Sequence, residues 1–314
     1  MTSIGEIGED ALIALFAPRL PDTDAEILGP GDDAAVVAVD GHLVVSSDVL
    51  VERHHFRSEW STGADVGWRA AMQNLADIDA MGAVPTSLQI TLCLPEDTDV
   101  DWVLDFADGV REACEPHGVG VVGGDLSGAD QIVVSVTVLG ETHGTEVVTR
   151  ADAHPGMVVA VSAPLGAAAA GFAALTAGSP EAAPEAVQLF KRPRPVVGAG
   201  LEAALRGAAA MMDISDGLLR DAGRIARASE VGLSLDSNAV PVHPAASVAA
   251  SALGTSALDY ALTGGEDHAL LAVFPSAGSV PPGWEVIGTV TDEFAGVRVD
   301  GVVPESLGWD HFSR

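Results

Sequence analysis

The chain has 314 residues, 45 of them acidic and 15 basic, so its formal net charge is −30 and its sequence pI is about 4.3. Binding along a nucleic-acid backbone requires many Lys and Arg side chains against phosphates, so this balance excludes that class of protein and argues against docking on anionic lipid. Apolar residues make up 48% of the chain and charged residues 19%, which excludes a solvated acidic tail and allows two domains or one large one.

Apolar patterning in the first half predicts strands and helices in succession. The runs 34–39 and 42–50 flank Asp40-Gly41, a dipeptide typical of a tight turn, and therefore predict a β-hairpin. A helix is predicted over 65–81 because apolar side chains recur along one face. The further elements predicted in this half are a strand at 89–94, a helix at 100–115, and strands at 120–122 and 132–139.

The second half is richer in alanine and repeats this alternation, after a glycine-bearing stretch at 140–144 that marks a boundary. Its predicted strands are 157–162, 209–214, 233–235, 269–274 and 284–290, and its predicted helices are 167–177, 196–206, 217–228 and one near 245–252. Mixed strands and helices predict an α/β or α+β fold in two lobes, residues 1–145 and 146–314.

The chain has no feature that predicts export or a membrane anchor. Its first eleven residues carry three acids and no basic residue, unlike a signal peptide. The longest uncharged stretch, 154–180, is interrupted by prolines and glycines and is therefore not predicted to span a membrane. Two cysteines, Cys93 and Cys114, cannot form a disulfide framework and indicate reduced thiols. A soluble, cytoplasmic protein is predicted.

Four stretches lead from an apolar, strand-like run through small residues to acids, namely 44–48, 121–125, 211–217 and 262–267, and a fifth acidic site lies at 29–33. Two carboxylates about 4 Å apart repel by about 4 kcal/mol at an effective dielectric constant of 20. Because Lys and Arg are absent beside these acids, they predict a hard cation such as Mg²⁺ or Ca²⁺. The alternative for each acid is a turn residue or a helix cap that faces water.

Asp77 on the predicted helix 65–81 allows two interpretations. It lies on a polar line beside the apolar stripe, so it is either a surface acid or a carboxylate that reaches the acidic stretches. Other phosphate-binding motifs are excluded. The only lysine, Lys191, follows Phe190, whereas a Walker A loop places Gly before its Lys. Dinucleotide-type glycine patterns at 29–34 and 118–123 lead into or span a strand, where the motif requires a helix.

Taken in order, the motifs resemble those of the thiamine-monophosphate kinase family, within the aminoimidazole ribonucleotide synthetase-like superfamily. The stretches that carry the resemblance are GPGDDAA (29–35), SSDVLVERHHF (46–56), QNLADIDAMGA (73–83), VVGGD (121–125), VTRADAHPG (148–156), MDISDGLLRD (212–221), LTGGEDH (262–268) and GWDHF (308–312). The resemblance implies a two-lobed α/β fold, in which the mixed sheet of an N-terminal ATP-binding, metal-binding and dimerisation domain pairs into a homodimeric β-barrel. It also implies ATP-dependent phosphorylation of thiamine monophosphate to thiamine diphosphate.

The same resemblance implies site residues by position. The implied metal ligands, for several Mg²⁺ ions, are Asp33, Ser46, Ser47, Asp48, Asp77, Asp125, Asp213 and Asp216, and four of these, Asp48, Asp77, Asp125 and Asp213, are the implied catalytic residues. The implied ATP contacts are Gly124, Asp125, Arg150 and Ser215, and the implied thiamine-phosphate contacts are His55, Glu266 and Trp309.

Physical chemistry favours this reaction, since ATP and a phosphate monoester are both polyanions. With a single lysine in the chain, Mg²⁺ held by aspartates is expected to cancel most of the charge during direct in-line transfer. Two alternatives stay open at this point. One is another ATP-dependent enzyme of the same superfamily, and the other is a non-catalytic protein that binds divalent cations.

Overall fold

A computed structural model describes residues 2–30 and 34–309 of the chain. They form two compact units. The first consists of Met1–Ile78 and Ala83–Thr145, and the second consists of Asp79–Gly82 and Glu146–Arg314.

The first unit is built around a mixed four-stranded sheet. Its elements are α1 (Ile4–Ile7), α2 (Glu9–Phe16), β1 (Glu26–Leu28), β2 (Val36–Val37), β3 (Leu43–Val51), α3 (Gly63–Asp79), β4 (Val84–Leu94), α4 (Val100–Cys114), β5 (Gly120–Gly128) and β6 (Val133–Glu141). The strand order is β3-β6-β4-β5, with β4 and β5 parallel and the other neighbours antiparallel. The last residue of α3, Asp79, belongs with the second unit.

One face of this sheet is buried and the other is open. Leu50, Ile90 and Val136 belong to the buried face, and a Cβ placed on Gly140 would lie 2.4 Å from the side chain of Ile78, so α3 covers this face. On the opposite face three of the alternate residues of β3 are apolar and exposed, and Ser47 stands between two of them. They are Leu43, Val45 and Val49, which are 49%, 54% and 45% exposed.

The second unit carries helices on both faces of a six-stranded sheet. Its elements are β7 (Val158–Val161), α5 (Ala167–Thr176), α6 (Pro184–Lys191), α7 (Ala199–Leu205), β8 (Ala210–Asp213), α8 (Leu218–Ala228), β9 (Gly232–Leu235), α9 (Pro244–Leu253), α10 (Ala257–Thr263), β10 (Leu270–Phe274), β11 (Glu285–Thr291) and β12 (Gly296–Val299). The strand order is β12-β9-β11-β7-β10-β8, antiparallel except for β12 with β9.

Successive side chains of β8 pack alternately into two separate hydrophobic cores of this unit. Met212 of β8 packs in the core that contains Leu219 and Ile225 of α8. Its neighbour Met211 packs in the other core, with Ala203 of α7. This alternation is the period-two pattern of a strand that is buried on both faces.

The predicted hairpin at 34–50 is wrong. β2 pairs with β1, and β3 pairs along its whole length with β6. The Asp40-Gly41 segment lies instead against the end of β6, where the Asp40 N–H donates to Glu141 and the His42 N–H donates to Thr142. None of the helices described combines the length and the apolar composition needed to cross a bilayer.

Candidate active site

Two of the predicted site residues in the first unit are hydrogen-bonded between β3 and α3, and a third points to the same face of the sheet. The Ser46 hydroxyl on β3 donates to Oδ2 of Asp77 on α3 at 2.6 Å. Asp48 follows Ser46 by two residues on the same strand and therefore points to the same, helix-covered face. Asp77 is thus part-buried against the strand, which decides against the interpretation as a surface acid.

Asp125 lies on the other face of the same sheet. Asp48 is in register with Val136 and, through it, with Ile90 and Gly124, whereas Asp125 is in register with Thr91. Because successive residues of a strand alternate between faces, Asp48 and Asp125 point in opposite directions and are separated by two intervening strands. Both acids stand inside strands, although the sequence pattern had predicted them at strand ends.

Two other predicted residues of this unit make their own local contacts. The Ser47 hydroxyl donates to the carbonyl of Val136 at 3.0 Å. The imidazole of His55 accepts from the backbone N–H of Val51 through Nδ1 at 3.0 Å, which fixes its ring orientation after β3. Asp33 lies outside the described residues.

Ser46, Asp48 and Asp77 present only oxygen donors on one face, which is the donor chemistry that Mg²⁺ prefers. The donor chemistry of these residues therefore fits Mg²⁺. Across residues 2–30 and 34–309, no group of three or more His, Cys, Asp or Glu side chains is placed to hold a metal.

In the second unit, the predicted residues meet at the loop that follows β8. Asp213, at the end of β8, is buried. The carbonyl of Ser215 accepts from the N–H of Glu266 at 2.9 Å, and the carbonyl of Asp216 accepts from the N–H of Trp309 at 2.9 Å. Residues predicted for metal, nucleotide and thiamine phosphate are therefore joined by main-chain hydrogen bonds in this unit. The indole of Trp309 is 56% exposed and accessible to a ligand.

Arg150 approaches the same strand from the segment before β7. Thr149, its neighbour, accepts through its carbonyl from the N–H of Met211 on β8 at 2.8 Å. The carbonyl of Arg150 itself accepts from the Ser229 hydroxyl at 3.1 Å, and the residue is exposed.

A buried acid that the sequence analysis left without a role shapes the loop after β8. Asp221 on α8 accepts through Oδ2 from the N–H groups of Ser215 and Asp216, at 3.1 and 3.0 Å. Arg224 bridges the carboxylates of Asp216 and Asp221. Burial raises the pKa of Asp221 to about 7, although Arg224 opposes the shift. The arrangement holds Asp216 beside a guanidinium, which neutralises part of its charge.

His268 is a second residue that the sequence analysis passed over. It is buried, and its Nδ1 donates to Oδ2 of Asp213 at 3.1 Å, while Nε2 lies 3.6 Å from Oε2 of Glu266. Burial lowers the pKa of this imidazole, but the two carboxylates outweigh burial and raise it to about 10. Its presence in the LTGGEDH stretch was the only signal in the sequence.

Two further acids accept hydrogen bonds from backbone N–H groups at the starts of helices. Asp267 accepts from the N–H groups of Gly166 and Ala168 at the start of α5, at 2.5 and 3.0 Å. Asp79 accepts from Gly198 and Gly200 at the start of α7, at 2.9 and 3.0 Å. Burial raises the pKa of Asp267 to about 6 and that of Asp79 to about 7.

Comparison with known proteins places this geometry in a family. The family model described as AIR synthase related protein, N-terminal domain, matches residues 31–142, and the C-terminal domain model matches residues 154–300. The thiamine-monophosphate kinase of Mycobacterium tuberculosis is 44% identical over 318 residues, which cover 99% of this chain and 94% of that protein.

Solved structures agree. The crystal structure of thiamine monophosphate kinase from Aquifex aeolicus superposes with a TM-score of 0.77 at 36% identity, covering 83% of this chain and 88% of that one. A structure of AaThiL complexed with AMPPCP and TMP superposes with a TM-score of 0.79 at 32% identity, covering 99% of each chain. The predicted family and the predicted mixed α/β fold are confirmed. The chain belongs to the thiamine-monophosphate kinase family of AIR synthase related proteins.

Proposed function

We propose that this protein transfers the γ-phosphoryl group of ATP to thiamine monophosphate and so forms thiamine diphosphate and ADP. The new bond joins an oxygen of the thiamine phosphate to the γ-phosphorus, and the bond that breaks joins this phosphorus to the oxygen that stays with ADP. Family membership supports the reaction, as does a related structure that holds AMPPCP and TMP together.

The observation that carries the proposal is the junction at the loop after β8. Ser215 and Asp216 accept backbone hydrogen bonds from Glu266 and Trp309, respectively. A nucleotide contact at Ser215 and thiamine contacts at Glu266 and Trp309 would therefore be held in fixed relation. Fixed relation between two reactants is the main contribution a protein makes to phosphoryl transfer, whose transition state needs positioning and charge stabilisation.

The side chains of this junction suit a thiamine ligand. Its thiazolium ring is a cation, and the exposed indole of Trp309 offers a π-face on which a cationic ring can stack. The carboxylate of Glu266 favours the positive charge, and His55 in the first unit would meet the phosphate. Gly124, Asp125 and Arg150 would complete the ATP contacts together with Ser215.

The acidic residues are proposed to act on the phosphates indirectly, by binding Mg²⁺. Ser46, Ser47, Asp48, Asp77, Asp125, Asp213 and Asp216, together with Asp33, would hold several Mg²⁺ ions, which when bound cancel negative charge on the phosphates. Asp48 and Asp125 would hold different ions, because they point to opposite faces of the sheet. The acceptor phosphate is already ionised at neutral pH, so no side chain is required as a strong base. Asp48, Asp77, Asp125 and Asp213 therefore act by position and charge.

We further propose that the enzyme works as a homodimer in the cytoplasm, and that residues 1–145 bind ATP and metal and dimerise. The open apolar face of the first sheet supports a self-associating surface, because Leu43, Val45 and Val49 present apolar side chains there. The free thiols of Cys93 and Cys114 and the use of ATP support the proposed cytoplasmic location.

The test is a product assay on the purified protein. With ATP, Mg²⁺ and thiamine monophosphate, we expect stoichiometric ADP and thiamine diphosphate, separated by chromatography. Thiamine in place of its monophosphate is the matched control and should give no product, because it lacks the acceptor phosphate. ADP formation without thiamine diphosphate would point to a sibling ATP-dependent enzyme. Metal binding without any ATP turnover would point to a non-catalytic cation-binding protein.

A further inference from the structure

His268 stands between the two carboxylates that the proposed reaction uses for different purposes. The residue is 4% exposed, and Nδ1 donates to Oδ2 of Asp213 at 3.1 Å. Its Nε2 lies 3.6 Å from Oε2 of Glu266, beyond hydrogen-bond distance, and is buried without a hydrogen-bond partner. One rigid ring therefore faces a candidate phosphoryl-transfer residue on one side and a candidate thiamine contact on the other.

The backbone of this segment is held in an unfavourable conformation. Glu266 and His268 both have positive φ, 70° and 52°, although neither is glycine. The left-handed region costs such residues about 1 kcal/mol or more each and persists where surrounding contacts enforce it. The N–H of Glu266 donates to Ser215 and the N–H of His268 donates to Ile214. These two hydrogen bonds to the segment after β8 hold the strained conformation in place.

A purely structural role does not account for a polar ring at this position. The neighbouring residues Ile214, Ala269 and Leu271 belong to the apolar core of the second unit. Buried charged clusters contribute little stability compared with apolar side chains of similar size. The ring is better explained by what it orients than by the stability it adds.

We propose that His268 is a positioning residue that couples Asp213 to Glu266 through the two nitrogens of one imidazole. The assignment rests on the proposed function, in which Asp213 acts on the transferred phosphoryl group and Glu266 on thiamine monophosphate. Nδ1 fixes the rotamer of Asp213 by holding one of its oxygens. Nε2 faces Glu266 and sets the position of that carboxylate relative to the bound thiamine.

The roles of the two nitrogens can be tested separately with the variants His268→Asn and His268→Gln. The amide nitrogen of Asn lies where Nδ1 stood and can still donate to Asp213, while that of Gln lies where Nε2 stood and can still face Glu266. For His268→Asn we expect the KM for thiamine monophosphate to rise about tenfold with kcat nearly unchanged. For His268→Gln we expect kcat to fall about tenfold with a smaller change in KM.

The matched control is His243→Asn in the same unit. His243 accepts from the N–H of Ala245 as the N-cap of α9, a position that Asn serves equally well, so kinetics should stay parental. Glu266→Gln should raise KM in the parent and add little in the His268→Asn background. If the parent protein is active and the two His268 variants change kcat and KM by the same factor, or keep parental kinetics, the positioning role is overturned. The proposed function would then still stand. A parent that neither binds nor phosphorylates thiamine monophosphate overturns the proposed function as well.

Discussion

Individual carboxylates set how much negative charge the site presents to two phosphate-bearing reactants. Asp48→Asn keeps the size of the side chain and removes one charge from the helix-covered face that Ser46 and Asp77 share. We expect kcat to fall by about 100-fold or more, because a side chain without this charge would hold Mg²⁺ less well and less of the negative charge on the phosphates would be cancelled. Steady-state assays at saturating Mg²⁺ measure this, and the thermal midpoint should stay close to the parental value. The control, Asp130→Asn, changes an exposed acid of the same unit and should leave kcat unaltered. A parental rate in Asp48→Asn would remove this residue from the metal assignment.

The buried Asp79 gives a pH dependence of defined sign. Burial raises its pKa to about 7 in the folded protein, above the ordinary value of 3.8. The folded state therefore binds more protons between pH 4 and 7, so this group's contribution to stability is present below pH 4 and is lost as pH rises through 7.

In Asp79→Asn the free energy of unfolding should fall less between pH 4.5 and 8 than it does in the parent. The amide oxygen can still accept from Gly198 and Gly200, so the fold should persist. Urea titrations at both pH values measure the difference, with the exposed Asp292→Asn as control. Equal losses in Asp79→Asn and the parent would contradict the assignment.

Local patterns determined residue positions only in part. The offset of Asp77 from the apolar stripe of its helix allowed both a surface acid and a carboxylate facing the acidic stretches, and only its hydrogen bond to Ser46 decides between them. Asp79 and Asp267 look like any turn or helix acid in the sequence. Their burial depends on partners such as Gly198, 119 residues from Asp79 along the chain, which no local pattern contains.

At the scale of elements, α5 depends on a cap that it does not contain. Its own N-cap, Gly166, has no side chain, and Asp267 accepts from Gly166 and Ala168 in its place. We expect Asp267→Ala to lower the free energy of unfolding by about 1–3 kcal/mol, since two buried N–H groups lose their acceptor. Denaturant unfolding measures the loss. Asp267→Asn keeps an acceptor oxygen and should recover part of it. If both variants match the parent, the cap contributes nothing to stability.

Helices were predicted more closely than strand pairings, for a physical reason. The predicted helix 100–115 differs from α4 by one residue, because its amphipathic period and its capping residue Asp99 lie within one segment. Strand pairing is a contact between distant segments. The apolar run after Asp40-Gly41 therefore paired with β6, about ninety residues later, rather than with the run just before it.

For the whole molecule, a net charge of −30 means that acids repel one another over most of the surface. Raising NaCl from about 0.05 to 1 M shortens the Debye length to about 3 Å, so the thermal midpoint should rise. Scanning calorimetry measures this shift. A variant with Lys at exposed positions Glu146, Glu181, Glu285 and Asp292 should respond less to salt. A midpoint that falls with salt, or an undiminished response in the variant, would show that repulsion does not limit stability.

The open face of the first sheet makes a prediction about assembly. Val45 is 54% exposed on β3, between Leu43 and Val49 on the same face, and a second copy of the chain would remove these side chains from water. A buried carboxylate without a partner is costly, so Val45→Glu should shift a dimer toward monomer. Sedimentation equilibrium across a range of protein concentrations measures the dissociation constant. Val248→Glu is the matched control, because Val248 is 55% exposed on α9 of the other unit and lies outside the proposed surface. A monomeric parent, or a Val45→Glu variant as tightly associated as the parent, would assign the apolar face to something other than self-association.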